Sequence, residues 1–236
     1  VRERELIFGR EPNSTDPAVR RAAAIALGRL ATKDTIPALL RLYRDADATV
    51  RMEAANALGD VIKPDMPELA QVWAATLDRL VAKPLTDDGT AAATLETVGR
   101  LPNVPGREIA GTAAFMIGCM VAVDCQPTVP DGVLDFRVAP ERLLGAIKGL
   151  ESLTRRNPRV ELTSSARKVL RDLSAHGRGE FTRIESAIGP RRAANVLADQ
   201  LARLRRLAMQ TLINVGDRDR DTILTATQDP DWQVRR

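Results

Sequence analysis

The sequence predicts an all-α chain, an α-solenoid (α/α superhelix) built from helical hairpins, on three observations. First, the segment DPAVRRAAAIALGRL, beginning at Asp16, returns 31 positions later as DATVRMEAANALGDV, beginning at Asp47. Second, aromatic residues make up only 3% of the 236 residues while alanine is abundant. That composition suits thin helix-on-helix layers better than a sandwich or barrel, which aromatic and β-branched side chains usually fill. Third, no segment alternates apolar and polar residues as a half-buried strand would.

Within the repeat each position has a physical role. Asp16 and Asp47 are expected to be N-caps, accepting hydrogen bonds from otherwise orphan amides. Pro17 fits the first helical position, where its missing N–H costs nothing. Val19, Ala22, Ala23 and Ala26 are expected on one buried stripe, as are Val50, Ala54 and Leu58. Gly28 and Gly59 either allow a neighbouring helix to approach or end the turn. Between the two copies lies TKDTIPALLRLYRDAD. Asp34 is a candidate cap, and Ile36, Leu39, Leu40 and Leu42 are the apolar face of a second, shorter helix. Pro37 sits in its first turn. The unit is helix, turn, helix and short loop.

Fainter echoes follow. Ile109 to Gly118 and Leu207 to Gly216 keep the nine-residue gap seen from Val19 to Gly28. The last residues, DPDWQVRR, match DPAVRR, with Asp229 or Asp231 as the cap and Val234–Arg235 in the place of Val19–Arg20. Another repeat helix is expected to begin there. With Val1 in a charged opening segment, VRERELIFGR, this gives the expectation of a fragment cut from a longer protein at both ends.

DPAVRRAAAIALGRL, DATVRMEAANALGDV and DPDWQVRR resemble the short HEAT-like repeats first associated with phycobilisome lyases and found in many bacterial scaffold proteins. The resemblance implies a curved stack with a concave face lined by the second helix of each pair, and it implies binding far more than chemistry. It also admits an accessory region of an enzyme, such as a peptidyl-prolyl isomerase or a pigment lyase. Some HEAT-like proteins grip DNA, but the aromatic- and acid-bearing pocket of the alkylpurine glycosylases is not recognisable here.

Residues 1–236 are expected to form a single solenoid fragment, with the clearest repeats at 16–62 and returning, truncated repeats at 201–236. Residues 63–200 are expected to form divergent helical pairs with an irregular connection at 124–138. Further helices are predicted over 66–83, with Leu69, Val72, Trp73, Leu77, Leu80 and Val81 as the stripe, and over 87–100, 139–154 and 160–175.

Chemistry is hard to find. The lone histidine, His176, falls at a predicted helix end, where a cation suits the dipole. No serine or cysteine has the context of a paired nucleophile, and GRGEF lacks the strand, spacing and lysine of a phosphate loop. No cofactor and no metal site is expected. Cys119 and Cys125 are expected to be buried thiols, with a disulfide as the alternative. No apolar run is long enough to span a membrane. A soluble chain follows, in cytoplasm or periplasm, and a monomer is favoured.

The leading functional expectation is a non-catalytic protein-interaction scaffold. A protein or peptide partner would sit on the concave face, with Arg41, Arg44, Asp131 and Asp135 as candidate contacts. The alternative is nucleic acid. Residues 1–118 carry 15 basic and 16 acidic side chains, and residues 119–236 carry 20 and 15, so the excess charge lies in the second half. Arg155, Arg156, Arg159, Arg203, Arg205 and Arg206 are the candidate phosphate ligands.

Overall fold

A computed structural model describes residues 11–82, 87–122, 125, 138–176 and 192–236, and every regular element among them is helical. The chain divides into two compact units. The first comprises Val1–Glu108 with Ala139–Gly149, and the second comprises Ile109–Val138 with Leu150–Arg236. Asp131 and Asp135, with all of the expected 124–138 connection except residues 125 and 138, lie outside the described residues.

In the first unit, α1 spans Pro17–Leu30, α2 Ile36–Leu42 and α3 Ala48–Val61. Residues 69–82 form α4, in which α-helical Leu69–Trp73 and Arg79–Ala82 flank a π-helical turn at Ala74–Asp78. α5 spans Asp88–Arg100. The expected caps are present. Asp16 accepts from the Ala18 amide, and Asp47 from the Thr49 and Val50 amides. Asp34 instead lies in a short 3-10 turn, Lys33–Thr35, that leads into α2.

The first helix of each pair packs on the next, α1 on α3 and α3 on α5. Gly28 makes the first of these approaches possible, since a Cβ there would stand 2.8 Å from the Ala57 Cβ. It does not end its helix, which closes at Ala31 in the left-handed region. α3 and α5 are tied by the Thr97 hydroxyl, which donates to the Ala55 carbonyl at 2.7 Å. The N-terminal part of α7, which spans Pro140–Arg156, joins this unit so closely that Cβ atoms at Gly99, Gly145 or Gly149 would strike backbone of the facing helix. Arg142 pairs with Asp88 at 2.8 Å and Lys148 with Glu96 at 3.0 Å along the same contact.

One expectation about the α1 stripe fails. Ala23, Ala24 and Leu27 are buried, whereas Ala22 and Val19 are exposed. Val50, in the matching position of α3, is 0% exposed and Val19 is 36% exposed. α3 has the α1–α2 pair before it to cover its valine, but α1 has only a 3-10 turn, Glu11–Asn13, among the described residues.

The second unit holds α6 (Ile109–Val121), the C-terminal part of α7, α8 (Ser164–His176), α9 (Arg192–Asn214), α10 (Arg220–Thr227) and α11 (Trp232–Arg235). α8 packs on α9, and α9 on α11. Cys119 and Cys125, expected as thiols, are joined in a disulfide. The Leu207–Gly216 echo is out of register. Buried Leu204, Ala208 and Leu212 match Val50, Ala54 and Leu58, three residues earlier than the echo implied. Gly216 lies beyond the end of α9 with φ +70°, so it closes the helix rather than admitting a neighbour.

An arginine device recurs in both units. Four residues after the caps Asp16 and Asp47, Arg20 and Arg51 fold back onto the carbonyls of Ser14 and Thr15, and of Asp45 and Ala46. Each also reaches a carboxylate in the loop before the next helix but one. Arg20 meets Asp45 and Arg51 meets Asp87, both at 2.7 Å. In the second unit Arg167 and Arg171 converge on Asp217, and Arg205 binds Asp229 with two nitrogens at 2.6 and 3.0 Å. Asp45, Asp217 and Asp229 also accept the amide two residues on, at Asp47, Asp219 and Asp231. One carboxylate thus shapes its own loop and anchors an arginine from the preceding layer.

Candidate functional site

A groove of about 730 Å³ runs between the second helices of the first two pairs. On one side the chain from Asp34 to Arg44 contributes Pro37, Ala38, Leu40, Arg41 and Arg44. On the other, α4 contributes Gln71, Ala74, Ala75 and Arg79. The spacing is helical on both sides, with Asp34, Pro37, Ala38 and Arg41 following one face and Gln71, Ala74 and Ala75 the other. The α2 chain thus buries Ile36, Leu39 and Leu42 into the unit while offering its arginines to the groove.

The π turn sets the α4 side. Its wider i→i+5 turn returns the residue four places on to the same line and rotates the residue three places on away. Counting from Ala75, that brings Arg79 to the groove and turns Asp78 aside, where Arg107 binds it at 2.7 Å. The same shift leaves Val81 57% exposed, contrary to the expected stripe, while Leu77 and Leu80 are buried. Thr76 reinforces the turn by donating to the Val72 carbonyl at 2.7 Å.

The electrostatics of the groove differ from those of the helix contacts around it. Arg41 and Arg44 are exposed, and among the described residues neither side chain has a hydrogen bond or ion pair. The Arg79 guanidinium stands 5.8 Å from the centroid of the Tyr43 ring, and no carboxylate among the described residues holds it. Tyr43 is buried, and its hydroxyl is 2.8 Å from that of Thr94. Burial pushes its phenol up from the ordinary range, so it stays neutral beneath Arg79. Asp34 is the one carboxylate lining the groove among the described residues. The arrangement offers cations above an apolar floor of Ala38, Leu40 and Ala75, which equips it to bind anionic groups attached to apolar ones.

Of the residues singled out as partner contacts, the structure thus brings Arg41 and Arg44 into one groove. The candidate phosphate ligands fare unevenly. Arg155, Arg156, Arg159, Arg203 and Arg206 are exposed. Arg155 pairs with Glu151 at 3.5 Å, and Arg206 donates to the Gln233 side chain at 3.3 Å. Arg205 is a correction: it is buried on Asp229 and has no face to offer a phosphate. Arg79 and Gln71 were missed in the sequence, where a regular helical count placed Asp78 and Arg79 equally well. Among the described residues, no group of three or more His, Cys, Asp or Glu is placed to hold a metal, and no helix is long and apolar enough to cross a membrane.

The paired helices, their capped starts and the arginine cross-links define a helical-repeat protein. Residues 12–86 match the family described as HEAT repeats, which covers the first two pairs and the whole groove. No curated protein matches the chain.

Proposed function

We propose that the chain is a HEAT-repeat scaffold of the short bacterial type, its helical pairs continuing as an α-solenoid, and that it binds a protein partner on the face made by the second helices, through the α2–α4 groove. The observation that carries this reading is the contrast between arginines. Arg20, Arg21, Arg51 and Arg100 each hold a carboxylate of the neighbouring layer, whereas Arg41 and Arg44 face solvent in the groove and hold none among the described residues. Solenoid surfaces of this kind are free to recognise partners because stability comes from neighbour packing. A phosphate backbone along the exposed arginines of the second unit is the weaker reading, since Arg205, Arg167 and Arg171 are already engaged by carboxylates.

A photo-crosslinking amino acid at Gln71, introduced in the producing cell, tests the proposal. It should trap a discrete protein adduct that Arg41→Glu with Arg44→Glu abolishes, while the same probe at exposed Ala22 traps none. Identical adduct patterns at Gln71 and Ala22 would overturn it.

A further inference from the structure

We propose that the α2–α4 groove recognises an acidic amphipathic peptide segment, with carboxylates seated on Arg41, Arg44 and Arg79 and apolar side chains lying on the floor between them. This rests on the scaffold reading and gives the partner a chemical class.

Charge complementarity is the first support. Among the described residues, three guanidinium groups line the groove against a single carboxylate, Asp34. In the same unit Arg20, Arg21, Arg51, Arg100 and Arg107 all hold carboxylates, whereas the three arginines that line the groove hold none among the described residues. Guanidinium groups match carboxylates in planar, two-point geometry, and such charge-assisted bonds are the strong ones. Arg79 is also partly positioned, since its stacking on Tyr43 and its place after the π turn restrict where its N–H groups point.

The floor supplies the second support. Ala38 and Ala75 are small and largely buried, and Ala74 and Pro37 are exposed beside them. Together they leave a shallow apolar bed between the two cationic edges. A volume of about 730 Å³ admits a few side chains, as ligand clefts do. A segment carrying leucine or a similar side chain between acidic ones would fill the bed and pair the edges at once.

The same features argue against a nucleic-acid strand. Single strands are held by aromatic platforms as well as by charge. The nearby aromatics, Tyr43 and Trp73, are each only 2% exposed, and Trp73 Nε1 donates to the Pro102 carbonyl. They present no face for a base. Asp34 at the rim would repel a continuous polyanion, yet it can accept a hydrogen bond from a peptide amide.

The test is fluorescence anisotropy on the full chain with a labelled peptide, Glu-Leu-Asp-Glu-Leu-Leu-Asp-Glu, and its amide counterpart, Gln-Leu-Asn-Gln-Leu-Leu-Asn-Gln. The acidic peptide should bind about tenfold tighter or more, weaken with salt, and lose about three- to tenfold with each of Arg41→Gln, Arg44→Gln and Arg79→Gln. Arg159→Gln, at an exposed site of the second unit, should leave affinity unchanged. Thermal melts confirm that each variant is folded. Equal binding of the two peptides, or affinity indifferent to the three arginines, overturns the proposal. Tighter, Arg41- and Arg44-dependent binding of single-stranded oligo-dT overturns it in favour of nucleic acid. If the Gln71 adduct persists while the acidic peptide fails, the scaffold stands and this class of partner falls.

Discussion

Arg41 and Arg51 belong to successive repeats, one on the second helix of the first pair and one on the first helix of the next. Arg51 lays one nitrogen on the carbonyls of Asp45 and Ala46 and another on Asp87. Arg41 has no acceptor among the described residues and lines a groove. Every hydrogen bond Arg51 makes ties loop to helix or layer to layer, so its charge is neutralised where it is half-buried. Arg41 keeps its hydration, and an incoming carboxylate would have to displace only water. Formal charge counted along the chain is therefore a poor guide to binding. The second unit carries more arginine, but Arg167, Arg171 and Arg205 are engaged in holding loops.

Breaking the framework side of this comparison should have the largest effect at Asp229. Both it and Arg205 have side chains only 7% exposed. Asp229→Ala would leave a buried guanidinium without a partner and the Asp231 amide without its acceptor. A loss of about 3–5 kcal/mol is expected, read from urea unfolding. Replacing both members, Arg205→Met with Asp229→Leu, should recover part of that loss, because the greater penalty lies in the orphaned charge. If the double variant is no more stable than the single, the pair's worth lies elsewhere.

Gly99→Ala comes next. The new methyl would collide with the Gly149 carbonyl, which is backbone and cannot rotate away. Overpacking of this kind costs about 1–3 kcal/mol. Gly106, with nothing within 4 Å of its missing Cβ, is the control for simple loss of a glycine, although its φ of +80° adds some strain to any replacement. A Gly99→Ala protein as stable as the parent would mean that α5 and α7 can part without cost.

Much of this framework is legible in the sequence, and the rest is hidden for identifiable reasons. Asp16 and Asp47 are readable as caps because capping is local, needing only an aspartate before a helical stripe. Part of the arginine device is written there too, as an arginine four residues after the capping aspartate at Asp16, Asp47 and Asp231, but its meaning depends on which loop lies two helices away. The stripe of α1 was misread because burial depends on the preceding layer, not on the helix's own periodicity. The register of α9 was misread because the conspicuous glycine, Gly216, ends the helix, while the true markers are Leu204, Arg205 and Ala208. The π turn in α4 left no sequence signal that distinguishes Asp78 from Arg79. That one extra step decides which of them lines the groove. Arg41 and Arg44 could be named in advance because a short helix with a strongly apolar inner face has few other positions to present outward.

Acid separates the two classes more gently. The hydrogen bond from Arg20 holds the Asp45 carboxyl below its usual range. Burial pushes Asp87 and Asp217 up, but bonds from the Thr90 hydroxyl and Arg51, and from Arg171 and the Asp219 amide, outweigh it and leave both lowered. Carboxyls that are more acidic folded than unfolded contribute their full stability above the unfolded value of about 3.9, and lose it as pH falls through the folded one. Unfolding free energy should therefore be flat in this respect near neutrality and fall below about pH 4. Asp45→Asn should lower stability at neutral pH and make that acid limb shallower. An unchanged limb would show that Asp45 does not contribute to it.

The smallest effect on stability is expected where the largest effect on binding is proposed. Arg41→Gln and Arg44→Gln remove charges that hold no partner among the described residues, and surface changes of this sort stay within about 0.5 kcal/mol. Glutamine keeps the first two methylenes of the side chain, so little apolar surface is removed. Relieving repulsion between neighbouring cations could even raise the melting temperature slightly. A double variant that unfolds at the same urea concentration as the parent, yet no longer forms the Gln71 adduct, would separate recognition from folding within two successive repeats. A loss of stability comparable to that of Asp229→Ala would instead place Arg41 and Arg44 among the framework arginines and remove the contrast on which the groove's function rests.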